Sequence, residues 1–264
     1  DDITAEVARR AEAPAAQRSS GAGAQVLLAP SWGPTGILET SGEEVVQGLL
    51  DANHRVVVRP HPQTTRLARP VIDALTARFG DHAGFRLETD MASRDSFFES
   101  DVLISDWSGT SFEFAFSRLR PVIFLDVPRK VNNPNWASLD IEPLEATLRE
   151  RLGIVVAPQD IDGLVSAVTS AIASADDFRQ NIVAEREKWI FNSGHGSRVA
   201  AHELARLAFD AALGDEGKPE DLESRCVSLA RAMLGSVDST AKPGSLAAFL
   251  ARLLAAKGQF ASED

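Results

Sequence analysis

Cysteine is almost missing. Only Cys226 carries a thiol among the 264 residues, so no intramolecular disulfide can form. A chain without a disulfide framework fits a reducing, cytoplasmic compartment. Basic residues are scarce beside acidic ones: 27 Lys and Arg against 38 Asp and Glu, for a net charge of −11. This balance argues against a nucleic-acid binder, which needs a basic face. It leaves a nucleotide open, because one local positive site is enough to hold a phosphate. No stretch approaches the roughly 20 apolar residues of a membrane-spanning helix. A signal-peptide pattern is also lacking, since the chain opens on the acidic, polar DDITAEVARR.

What is present is alternation. Residues 1–24 have no strong period and end in SSGAGA, which reads as a linker or the end of a preceding segment. The chain is therefore expected to be the later part of a longer protein. From Gln25, short Val/Ile/Leu-rich runs alternate with helical spacing. The runs are QVLLAP (25–30), RVVVRP (55–60), FRLET (85–89), DVLIS (101–105), PVIFLD (121–126) and GIVVA (153–157). Helices are expected over 41–52, 66–79, 95–100, 108–117, 142–152, from Asp160 to about Ser174, and over 176–191 and 197–213. Strands that are apolar on both sides belong in a parallel sheet with helices on both faces. The expected fold is α/β, a doubly wound parallel sheet over 25–213. The segment 214–264 reads as a charged linker and a helical appendage of two helices, near 220–235 and 244–257. Packing on the main domain or on a partner domain is the favoured reading of its apolar stripe.

In such sheets the ligand lies beyond the carboxyl ends of the strands, near a reversal of strand order. The loops that follow strands hold the unusual residues. After the second strand comes Arg59-Pro60-His61-Pro62. Two prolines stiffen the turn and remove two donors. His61 there can donate to a phosphate or move a proton near neutral pH; a turn histidine bonded to the backbone is the structural alternative. After the fourth strand comes LISDWSGTSFEFAF (103–116). Asp106 sits at the strand end and Trp107 turns the chain. Ser108, Gly109, Thr110 and Ser111 are expected in the first helical turn, where free amides and the dipole attract anions. Gly109 admits a close ligand. Phe112 and Phe116 are expected to anchor the helix on the sheet. Glu113, off that face, is placed to accept from a ribose hydroxyl. Capping alone explains Asp106 and the phenylalanines, but not a whole turn of small hydroxylated residues. His54, His202 and Cys226 read as structural, and His195 as a loop histidine.

These residues carry a resemblance. S-D-W-S-G-T-S-F-E-F-A followed by R-P-V-I-F is similar to the S/T-D-Y-S-S-x-x-F-D-F/Y-A…R-P-I-I-F signature of the CDP-glycerol glycerophosphotransferases, the teichoic-acid primase and polymerase type. R-P-H-P resembles that family's R-x-H-P, A-P-S-W-G (29–33) its A-P-T-W-R, and N-S-G-H-G-S-R-V (192–199) its closing G-x-x-S-x-R-V. The four motifs fall in family order over residues 25–210. The resemblance implies the C-terminal, nucleotide-binding half of a GT-B fold, needing no metal and no cofactor beyond its nucleotide-linked donor substrate. It implies transfer of glycerophosphate, or a related polyol phosphate, from a CDP-linked donor to a cell-surface polymer or glycan acceptor. His61 and Asp106 are then the catalytic candidates. Ser31, Trp32, Arg59, Ser108, Gly109, Thr110, Ser111, Glu113 and Arg198 are the substrate-binding candidates.

The chain also departs from that pattern. Trp107 stands for Tyr, Gly109 for the second Ser and Gly33 for Arg, and the loop 127–141 lacks the family's acidic, proline-glycine character. The family's W-H-G-T motif, which supplies the base for the acceptor hydroxyl, does not occur here, so a preceding GT-B domain is the expected partner. Peripheral association with the inner face of the cell membrane is a further expectation. Two alternatives stay open: a UDP-sugar glycosyltransferase or epimerase-like GT-B domain, and a non-catalytic nucleotide-binding scaffold.

Overall fold

The computed structural model describes residues 23–213, apart from 91, 130, 132, 134 and 139–141. The expected helices near 220–235 and 244–257, and Cys226, lie outside the described residues. The chain divides into two compact units, one ending at Phe191 and the other starting at Asn192. The first holds a six-stranded, all-parallel sheet in the order β3-β2-β1-β4-β5-β6. The strands are β1 (Gln25–Leu28), β2 (Arg55–Val58), β3 (Phe85–Leu87), β4 (Val102–Ser105), β5 (Val122–Leu125) and β6 (Gly153–Val156). All six expected strands form.

The helices are α1 (Ile37–Asp51), α2 (Pro62–Leu67), α3 (Arg69–Phe79), α4 (Asp95–Glu99), α5 (Thr110–Arg118), α6 (Leu144–Thr147), α7 (Arg149–Leu152), α8 (Ile161–Ala173) and α9 (Ala175–Trp189). The described part of the second unit contains α10 (Gly196–Leu213). Successive strand residues point to opposite faces, and both faces are covered. Val26, Leu28, Val56, Val58, Val102 and Ile104 pack with Leu49 of α1, Leu75 of α3 and Leu164 of α8. Leu27, Val57, Leu103, Val122 and Phe124 pack with Phe97 of α4, Phe114 of α5, Leu152 of α7 and Ile182 of α9. This is a doubly wound, Rossmann-like α/β fold.

Several helices differ from their expected limits. The helix expected over 66–79 breaks at Ala68. Pro70 has no N–H to give residue 66, so the chain restarts at Arg69 with proline in the first turn. Leu67, expected on the apolar stripe, is 62% exposed. The helix expected over 142–152 divides into α6 and α7 around Leu148. α1 begins before Ser41, whose non-helical backbone (φ −140°) kinks it at the expected start. Asp160 caps α8 as expected, its Oδ1 accepting from Gly163 N–H at 2.8 Å.

The β5–β6 pair leaves no space for a side chain at Gly153. A Cβ there would lie 1.6 Å from the Val122 carbonyl oxygen, and Val122 is its register partner. The neighbour is backbone and cannot rotate away. Gly153→Ala should therefore lower unfolding free energy by about 3 kcal/mol. Urea denaturation of the variant beside wild type measures this, and an unchanged midpoint would show that the strands can separate locally without cost.

Candidate functional site

The strand order reverses between β1 and β4, and the loops that leave these two strands define the site. Their pairing runs one residue beyond the ladder. Ala29 N–H donates to the Ile104 carbonyl at 3.0 Å, and Ser105 Oγ donates to the Ala29 carbonyl at 2.8 Å. Beyond that point the chains part and a carboxylate bridges them. Asp106 Oδ1 accepts from Ser31 N–H at 2.8 Å, and Oδ2 accepts from Ser31 Oγ at 3.0 Å. Asp106 is 1% exposed. Burial pushes its pKa above the ordinary 3.8, while the two Ser31 bonds and the amides of Asp106 and Trp107 pull it back. Its geometry is that of a strut that sets the shape of the crevice.

Two helices aim their N-termini at this crevice, and they are served differently. At α1 a carboxylate is already in place. Glu39, in its first turn, accepts from Thr64 Oγ1 at 2.9 Å through Oε1, which also approaches Gly33 N–H at 3.5 Å. A Cβ on Gly36, the residue before α1, would lie 2.5 Å from Glu39 Oε2. The positive end of α1 is therefore neutralised from within. At α5 the acidic residue of the first turn, Glu113, is exposed, the N-cap Gly109 has no side chain, and a Cβ there would meet nothing within 4 Å. Ser108 Oγ takes the Thr110 N–H and backbone carbonyls take those of Ser111, Phe112 and Glu113, so what the α5 end leaves open is the unobstructed approach at Gly109.

The helix begins at Thr110, one to two residues later than expected, with Gly109 already helical (φ −59°, ψ −22°). Ser108 Oγ accepts from Thr110 N–H at 3.3 Å. Ser111 is fully buried, and its Oγ donates to the Ser108 carbonyl at 2.6 Å. Its hydroxyl thus shapes the turn from behind, whereas Ser108 and Thr110 are half-buried and Glu113 is exposed. Phe114 and Ala115 are the fully buried anchors of α5. Phe116 is buried with them and Phe112 lies partly outside, its ring 5.9 Å from that of Phe116.

His61 is the N-cap of α2, and its Nδ1 accepts from Gln63 N–H at 3.0 Å. That bond assigns the proton of the neutral ring to Nε2. The His61 ring centroid lies 6.1 Å from that of Trp32. The β1 and β2 loops are thus joined both by this ring contact and by the Glu39–Thr64 bond. Arg59 turns toward β3 instead, where Nη1 pairs with Glu88 and donates to the Ser93 carbonyl at 2.7 Å. Arg198 lies in the second unit, in the first turn of α10. His54 precedes β2 at the other end of the sheet, and burial pushes its pKa down.

Residues that the motifs did not reveal complete the site. Trp107 Nε1 donates to the Val127 carbonyl at 2.8 Å, which ties the β4 loop to the β5 loop. The buried Arg149 lies 4.2 Å from the centroid of the Trp107 ring and bonds Asp126 Oδ1 at 2.7 Å. Arg129 stands 4.6 Å from the Trp136 ring centroid and 5.7 Å from that of Trp107. Nothing in TLRERL marks Arg149 as a support for a tryptophan 42 positions earlier (149 − 107). Glu39 lies before the expected start of the helix at residue 41, so its place in the first turn was not visible in the sequence.

No family model and no curated protein sequence matches the chain. Solved structures do resemble it. The wall teichoic acid polymerase TagF superposes with a TM-score of 0.43 at 17% identity, over 75% of this chain and 44% of TagF. A putative UDP-N-acetylglucosamine 2-epimerase from Listeria monocytogenes gives 0.46 at 17% identity, over 83% of this chain and 54% of its own. TarM gives 0.36 at 15% identity, over 66% and 36%. The chain thus spans about half the length of these proteins or less. Likeness at this level assigns neither substrate nor reaction. Among the described residues, no helix is long and apolar enough to cross a membrane.

The raised pKa of Asp106 makes a pH-dependent prediction. The folded state binds this proton more tightly than the unfolded state. The contribution is therefore fully present below pH 3.8 and is lost as pH rises through the folded value. Asp106→Asn removes the titration. The stability of the variant relative to wild type should rise with pH across that window and level off above it. Urea unfolding at a series of pH values measures the difference, and a fall with pH would show that the fold favours the ionised carboxylate.

Proposed function

We propose that this domain binds the nucleotide diphosphate of an activated donor in the crevice between the β1 and β4 loops, as one half of a GT-B transferase. The observation that carries this reading is the unobstructed approach to the N-terminus of α5 at Gly109, beside an α1 terminus where Glu39 is held by Thr64. An anion entering the crevice can approach the α5 end closely at Gly109. The motif resemblance refines the donor to a CDP-linked polyol phosphate such as CDP-glycerol, and the acceptor to a glycan or polyol-phosphate chain. The reaction then belongs in the cytoplasm, at the inner membrane face where such polymers grow.

In this reading the acceptor hydroxyl attacks the phosphorus of the transferred glycerophosphate. A new P–O bond forms, the P–O bond of the diphosphate linkage breaks, and CMP leaves with the electron pair. Negative charge grows on the departing phosphate. The α5 amides and the hydroxyls of Ser108 and Thr110 stabilise it, with His61 Nε2–H as a further donor. Glu113 accepts from the ribose, and Trp32 packs beside His61. Asp106, Ser31 and Ser111 hold the loops in shape. The base that takes the acceptor proton belongs to a facing domain. Trp107 in place of Tyr and Gly33 in place of Arg depart from the motif that points to a CDP-linked donor, which keeps a second reading open, a UDP-sugar enzyme of the same architecture.

Calorimetric titration with CDP-glycerol, CDP, UDP-N-acetylglucosamine and UDP distinguishes these. Tighter binding of the cytidine pair supports the first reading and of the uridine pair the second. Binding of none would leave a scaffold without a nucleotide. Gly109→Ala tests the site itself. The position is helical and open, so the fold should hold or gain up to about 1 kcal/mol. Nucleotide affinity should fall about tenfold, the scale of one lost charge-assisted hydrogen bond. In an enzyme completed by its facing domain, His61→Ala should lower kcat more than it raises KM, because its bond strengthens as charge develops. Equal turnover would assign His61 to architecture alone.

A further inference from the structure

The amino-terminal pole of the sheet, away from the crevice, holds a second concavity. α5 ends at Arg118, and Leu119 takes a left-handed backbone (φ 52°) where glycine is usual, its N–H donating to the Ala115 carbonyl at 2.9 Å. The turn brings Arg118 and Arg120, one residue apart on each side of Leu119, to the wall of one cavity of about 400 Å3. Ala175, Asp176 and Arg179 from the first turns of α9 form the facing wall.

The charge here runs against that of the molecule. Three guanidinium groups line the cavity with a single carboxylate, Asp176, in a chain of net charge −11. Arg118 is held in place, since its guanidinium stacks 5.7 Å from the Phe98 ring centroid and donates to the Phe98 carbonyl. Arg120 has Asp101 at 3.9 Å, but that carboxylate is 7% exposed and already accepts from Gln25 N–H at 3.0 Å. Arg179 is exposed and forms no ion pair among the described residues. α9 has no side-chain cap at Ser174 and carries Asp176 and Asp177 in its first turn, of which Asp176 lines the cavity. Guanidinium groups lining one cavity from two elements suit the several oxygens of a phosphate better than one carboxylate does. The volume is that of a small-ligand site.

We propose that this cavity is a second anion site, for a small multivalent phosphate such as pyrophosphate or the diphosphate end of a nucleotide. It shares no residue with the donor crevice and does not depend on the donor assignment. Two of its three arginines project from exposed or half-exposed positions, so they can be changed without opening the core.

The test is calorimetric titration of inorganic pyrophosphate into the Gly109→Ala chain, in which the α5 end is hindered. One site should remain, its affinity falling steeply between 50 and 200 mM salt as phosphate contacts to arginine do. Adding Arg120→Gln and Arg179→Gln should weaken it at least tenfold, with an unchanged melting temperature. The same two substitutions in the otherwise native chain should leave nucleotide binding at the crevice as it was. Pyrophosphate affinity unaffected by the arginine substitutions would overturn the proposal, and so would an absence of pyrophosphate binding to the folded chain. Either result leaves the donor reading standing, because that reading is lost through Gly109→Ala and the nucleotide titrations instead.

Discussion

The arrangement depends on one topological constraint. β1 and β4 are neighbours in the sheet, yet the helices that follow them leave to opposite faces. α1 buries Leu49 against one side and α5 buries Phe114 against the other. A crevice must open where the two chains part, and no side chain of the sheet can fill it. The molecule spans its base with polar bonds, from the Ser105 hydroxyl to the Ala29 carbonyl and from Ser31 to Asp106. A buried carboxylate is costly unless its oxygens are satisfied. Here the cost is offset because Asp106 accepts both donors of Ser31 and fixes the mouth of the crevice.

Electrostatics then chooses between equivalent places. The first helix of a doubly wound sheet is a common anchor for phosphate. In this chain its positive end is occupied by Glu39, which also bonds Thr64 and so ties the β1 loop to the segment carrying His61. The fifth helix also has an acidic residue in its first turn, Glu113, but that side chain is exposed.

The sheet was legible in the sequence because each strand is a short apolar run closed by proline, glycine or a polar residue, and parallel strands are buried on both sides. The loops of interest followed from that alone. Helix limits were less legible. Pro70 marks a restart that the spacing of Leu67, Val71, Leu75 and Phe79 conceals, since four apolar residues one turn apart look continuous. In SFEFAF aromatic residues recur every second position, so helical period alone cannot say whether Phe112 or Phe114 points inward. Ser111 reads as a ligand hydroxyl from its neighbours, but burial turns it toward the Ser108 carbonyl. The partners of Glu39 and Arg149 lie 25 and 42 positions away (64 − 39; 149 − 107), and no local pattern announces contacts at that range.

The bridge between Ser31 and Asp106 joins residues 75 positions apart. All of β2, β3 and their helices lie in the loop it closes, so the chain must give up the freedom of that whole segment before the bridge can form. On a growing polypeptide, β1 emerges long before its neighbour β4 exists. The mouth of the crevice therefore belongs to the late stage of folding, after the long-range pairing that makes parallel sheets slow. Until Asp106 arrives, Ser31 and the turn that follows it have no fixed place, and any protease or chaperone acting during synthesis meets a sheet edge where the finished protein presents a braced crevice.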